Sequence, residues 1–285
     1  MASERPLDST PDGNGAAEGA AATLERAANR PWLDVLARTG FAVMALLHVL
    51  IGAIALQVAL GGYGEAETSG AIGPLARAEP FGPVLMWAGC VACAALAVWQ
   101  LAEATVRMRR EKMRARVAKA ISSGSLFVIY GSVALTFASF ARGRGRDSGE
   151  SISSFSRTVL NSAAGIPALA GVGALILGIG AYFIYKGSAR RFRPELRYFE
   201  DTRRGRVLNA LGVVGHIAKG VALVLVGLLF AAAALNHRPQ DSTGLDGSLR
   251  TLLQYPVGVP VILVIAVGLI CYGVFALVRA RWGRM

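Results

Sequence analysis

Six stretches of this chain, roughly residues 36–60, 82–104, 119–141, 166–187, 208–234 and 257–279, are long and predominantly apolar. About 20 such residues are enough to cross the hydrocarbon core of a bilayer as a helix. In lipid every backbone N–H and C=O must find an internal partner, so a spanning segment is a helix or part of a closed barrel. Barrel strands alternate over about ten residues, whereas these runs are continuous, so helices are expected. Overall composition is a weaker guide. The chain is 54% hydrophobic, modestly above the roughly 45–50% of soluble domains, and it is the clustering that decides the class. The expected fold is all-α and polytopic, with six transmembrane helices.

Charge gives the orientation. The formal net charge is +12, a balance that suits either nucleic acid or a membrane surface. Here the basic residues sit between the apolar runs, which favours the membrane and argues against nucleic acid. With six spans both termini share a side. That side carries 22 of the 30 lysines and arginines, the opposite side carries seven, and Lys219 falls within a span. Positive residues stay on the cytoplasmic side, so cytoplasmic termini in a cell inner membrane are expected. The basic linkers around Arg107–Lys119 and Lys186–Arg206 are also suited to anionic lipid, at about 1 kcal/mol per cation near such a surface. Residues 1–31 are small and polar, without the basic start and apolar core of a secretory signal, and read as a disordered cytoplasmic tail. Trp32 and Trp282 are placed for the interfacial belts.

The runs repeat in pairs. With Gly52, Gly131 and Gly227 in register, the residues seven upstream are Ala45, Gly124 and Gly220. In the even-numbered runs Leu96, Tyr182 and Tyr272 share a column. Ala92, Gly178 and Gly268 stand four residues before it, and Trp99, Tyr185 and Phe275 three after. Three tandem parallel hairpins result, over 32–107, 113–190 and 206–282. Residues seven apart share a helix face, and small faces let helices in lipid approach closely. Gly52, Gly124, Gly131, Gly220, Gly227, Gly178 and Gly268 are therefore expected to be helix-packing positions. The pattern G-x-x-x-x-G/A-x-x-x-x-x-x-G followed by G-x-x-x-Y-x-x-aromatic resembles the DUF1206 family of bacterial membrane proteins, with Leu96 departing from the tyrosine in the first copy. The resemblance implies tandem two-helix repeats and carries no catalytic residues.

Polar residues inside spans mark the candidate site. Lys219 lies about 12 residues, or about 18 Å, into the fifth run. A cation there costs at least about 2.5–3.5 kcal/mol and usually faces the bundle interior or water, unless it snorkels to the interface. His48 lies at similar depth in the first run, either as a proton-relaying group or as an imidazole bonded to a backbone carbonyl. His216 is one turn from Lys219. Glu103, at the end of the second run, could pair with these or with Arg107. Tyr130, Tyr182, Tyr185 and Tyr272 are expected to be buried phenols that need partners. Cys90 and Cys93 form a C-x-x-C within an apolar run, where packing between helices is the plain reading.

No H-E-x-x-H, G-x-S-x-G or Walker pattern is present, so no enzyme activity, metal or cofactor is assigned. Three readings remain: small-solute permeation or membrane organisation, a transporter or channel with a polar site around His48 and Lys219, and a structural module that binds a membrane-protein partner.

Overall fold

The computed structural model describes residues 31–108, 113–145, 147–195 and 203–282. Apart from Pro31 the expected tail lies outside them, as do parts of both basic linkers. Nine α-helices occur among the described residues: α1 (Pro31–Ala59), α2 (Thr68–Ala76), α3 (Gly82–Met108), α4 (Met113–Ala141), α5 (Ser148–Leu160), α6 (Gly165–Ser188), α7 (Arg203–Leu235), α8 (Gly244–Leu253) and α9 (Gly258–Trp282). No strand occurs among them.

Five helices are long and apolar enough to cross a membrane, over Arg38–Ala59, Gly82–Leu101, Gly165–Ser188, Arg203–Leu235 and Gly258–Trp282. The chain is a polytopic membrane protein. α4, expected as another span, is of comparable length, and Leu126–Ala141 is its apolar part among the residues whose side chains are described. The bundle is apolar outside and small inside. Val98, Leu175, Val264 and Leu277 are exposed, while Ala45, Ala55, Ala222, Ala233 and Ala266 are buried. This is the arrangement expected where lipid is the solvent and close packing, rather than exclusion of water, joins helices.

The long helices pack most tightly across the linkers, α3 with α4, α6 with α7, and the first helix α1 with the last, α9. Within repeats α1 packs on α3 and α7 on α9, but among the described residues α4 and α6, the two helices of the second repeat, have no comparable contact. The order α6–α7–α9–α1–α3–α4 is thus a ring left open between its ends. Arg38 helps close the α1–α9 seam, its Nη1 donating to the carbonyls of Ala280 and Arg281 at 3.0 Å each. Such a contact satisfies the orphan carbonyls at a helix C-terminus.

The glycine stripe divides along the same line. A Cβ on Gly52 would stand 2.8 Å from the Ala266 carbonyl oxygen, one on Gly220 2.6 Å from that of Gly180, one on Gly227 2.8 Å from Leu177 Cγ, and one on Gly268 2.0 Å from Ala218 Cβ. At Gly124, Gly131 and Gly178 it would meet no described atom within 4 Å. These three are corrections to the expected packing set. α4 instead turns Tyr130, Val133, Ala134 and Phe137 toward its neighbours, and Gly178 is exposed.

The loops at the other end from the termini hold three short helices, one per repeat, that the apolar pattern did not announce. Asp147 caps α5 by accepting from Glu150 N–H at 3.1 Å, the local signature of a helix start. Ser69 and Ser148 hydroxyls accept from each other's backbone N–H, at 3.1 and 3.3 Å, and so join α2 to α5. Ala66 N–H donates to Asp246 Oδ1 and Asp246 N–H to Glu67 Oε1, each at 3.0 Å, joining the start of α2 to α8. Ile72, Ser156 and Leu249, one from each short helix, are fully buried.

Candidate functional site: an intramembrane lysine in an aromatic cage

Three of the four candidate polar residues meet around Tyr272. α7 presents His216 and Lys219 one turn apart, α1 presents His48, α9 presents Tyr272 and Phe275, α6 presents Phe183, and the turn after α6 contributes Phe192. The Lys219 ammonium donates to the Tyr272 hydroxyl at 3.2 Å. It also lies 4.2 Å from the centroid of the Tyr272 ring and 4.9 Å from that of Phe183. A desolvated cation over an aromatic face gains about 2 kcal/mol or more, which offsets much of the cost of placing it in a span. Among the described residues no carboxylate pairs with Lys219. The Glu103 side chain lies outside the described residues, although its backbone is helical in α3.

The two histidines are held alike. His48 Nδ1 donates to the Met44 carbonyl at 2.7 Å and His216 Nδ1 to the Gly212 carbonyl at 2.6 Å, each one turn back along its own helix. A carbonyl can only accept, so the proton sits on Nδ1, and Nε2 carries the lone pair when the ring is neutral. The His48 ring lies 4.8 Å from that of Tyr272. His216 is 1% exposed and packs among Phe192 at 5.0 Å, Tyr272 at 5.2 Å and Phe275 at 5.3 Å. Lys219 and His48 therefore share one aromatic partner, although no pair of their own polar atoms is in hydrogen-bond contact.

The phenols divide. Tyr272 belongs to the cage, and Tyr130 is buried with its hydroxyl bonded to Gln100. Tyr182 and Tyr185 are about half exposed, at 56% and 53%, which corrects their expected burial: they are on the outer face of α6. Sequence reasoning grouped Tyr272 with the other phenols and passed over Phe183 and Phe192. The tyrosine column alone could not single it out, because what distinguishes Tyr272 is the lysine 53 residues away.

Comparisons with known proteins agree on relationship. The chain is 26% identical over 263 residues to "Uncharacterized protein YxxB" of Bacillus subtilis (strain 168), a match that covers 90% of this chain and 93% of that protein. No solved structure matches the chain. The family described as "Domain of Unknown Function (DUF1206)" matches three tandem regions, residues 39–107, 121–190 and 214–283. Each region takes in two long helices and the short helix between them, and the chain belongs to the DUF1206 family.

Proposed function

We propose that this protein passes small anionic solutes across a cell inner membrane, with Lys219 as the charge that draws them in. The supporting observation is an ammonium at mid-span that is held by a tyrosine hydroxyl and two ring faces rather than by a described carboxylate. Aromatic faces lower the cost of the charge without neutralising it, so an anion gains by approaching. His48 and His216 pack against the same ring. In this reading α4 is the sixth span, both termini are cytoplasmic, and the basic linkers contact anionic lipid, as the 22-to-seven cation asymmetry supports.

Reconstitution into liposomes tests the site. Chloride, nitrate and acetate efflux should exceed that of empty vesicles and fall at least tenfold in Lys219→Met. Absent flux, or flux unchanged in that variant, ends the proposal. Reporter tags at the two ends should both register the cytoplasm, and a split result would remove the six-span topology.

A further inference from the structure

A cavity separate from the lysine cage has a different chemistry. It measures about 560 Å³ and lies among α1, α4, α5, α7 and the first residues of α2 and α8. Part of its wall is hydrocarbon, from Ile51, Val133, Val226 and Leu245. The rest is oxygen. Ser132, Thr136, Ser139 and Ser151 line it, and each donates its hydroxyl proton to a carbonyl of its own helix region: Ile129 at 2.8 Å, Ser132 at 3.0 Å, Thr136 at 2.8 Å and Asp147 at 3.0 Å. Hydroxyls committed in this way offer the cavity lone pairs.

The carboxyl of Glu67 also lines the cavity. The residue is 6% exposed, and its Oε1 accepts one hydrogen bond, from Asp246 N–H, of the roughly four a carboxylate can take. The backbone N–H groups of Ser69, Ser148, Glu150 and Asp246, which could otherwise serve an anion, are already taken by side chains. The wall therefore carries several acceptor lone pairs beside an apolar surface.

We propose that this cavity binds an aliphatic amine, with its hydrocarbon body on the apolar wall and its ammonium donating to Glu67 and the serine and threonine oxygens. Burial first, and then the neighbouring carboxylates Asp246, Asp147 and Glu65, push the Glu67 carboxyl up to about 7, against the hydrogen bond from Asp246 N–H. Arg250 is engaged with Asp246 instead, 2.6 Å from its Oδ2. An ammonium then takes the place of the proton, so binding tightens as pH rises through that value.

The test uses the full chain in phosphatidylcholine nanodiscs and radiolabelled octylamine, with empty nanodiscs subtracted. Saturable binding is expected. It should weaken at least tenfold in Glu67→Gln, which keeps an oxygen for Asp246 N–H, and octanoate should not compete. In the wild-type protein affinity should fall about tenfold from about pH 8 to about pH 6, the change in ionised fraction of a group titrating at about 7. Val226→Phe, which fills the apolar wall, should also weaken binding, so the test does not rest on one variant. Equal affinity for octanol, or affinity indifferent to both pH and Val226→Phe, overturns the proposal. Displacement of octylamine by added phosphatidylethanolamine assigns the ammonium to a lipid headgroup, and lack of displacement assigns it to a free amine. The readout is equilibrium binding, so it stands or falls independently of anion flux.

Discussion

Gly220 and Gly124 occupy the same repeat position, yet alanine should have opposite effects at the two. In Gly220→Ala the new Cβ would lie 2.6 Å from the Gly180 carbonyl oxygen and 2.8 Å from Ile184 N. Both obstacles are backbone, so α6 and α7 must separate along their seam. Overpacking of this kind costs roughly 1–3 kcal/mol, from which the roughly 0.5–1 kcal/mol by which alanine favours a helix over glycine is recovered. A net destabilisation of about 1–2 kcal/mol is expected. In Gly124→Ala no described atom lies within 4 Å, so only the helix term acts and the variant should gain up to about 1 kcal/mol. Reversible unfolding in mixed micelles titrated with dodecyl sulfate measures both. The pair Gly227→Ala and Gly131→Ala repeats the contrast against Leu177. Equal shifts in the same direction for Gly220→Ala and Gly124→Ala would mean that α4 packs through its glycine face as α7 does, and the open ring would be wrong.

Three further outcomes follow from the packing and charges. Glu67 keeps its proton to about pH 7 in the folded protein, against an ordinary value of 4.5. Its contribution to stability is therefore fully present below the ordinary value and lost as pH rises to about 7. The change is on the order of 3 kcal/mol, and Glu67→Gln should flatten that part of a stability–pH curve measured by thermal unfolding. Asp246→Ala removes the acceptor for Ala66 N–H and for Arg250. It should cost about 1–3 kcal/mol, seen as faster amide exchange in α8 and at the start of α2. Phe192 is fully buried against His216 and Phe275, so Phe192→Ala should cost about 3–5 kcal/mol and lower the melting temperature in detergent.

Most of the long helices were legible because the physics that places them is local: a run of apolar residues has one solution in lipid. The boundaries of α6 and α9 fall within a few residues of the runs that announced them. α4 was legible as a helix, since the run 119–141 lies within Met113–Ala141, but which of its faces meets a neighbour was not, because serines look alike whether they face lipid, protein or water. The open seam was hidden for a similar reason. Gly124 and Gly131 repeat the column of Gly220 and Gly227, and only the turn of α4 about its axis decides which of them touches a neighbour. The Asp147–Glu150 cap was a readable sign of α5, but apolar periodicity drew attention elsewhere. The Glu67–Asp246 clasp joins residues 179 apart, and no spacing rule reaches that far. The meeting of Lys219 and His48 at Tyr272 was half visible: both were placed at similar depth in their spans, and the aromatic residue that joins them came only from the fold.

That α1 rests on α9 sets an order for biogenesis. Of the helices described, α1 is made first and its principal neighbour α9 last, so α1 must wait in lipid until α9 is made before its seam with Arg38 can form. For the same reason the ends of the helical body lie side by side. A gene in which the ends of the helical body are fused and the reading frame is cut between α3 and α4 should still yield an assembled protein, since circular permutation between neighbouring ends is often tolerated.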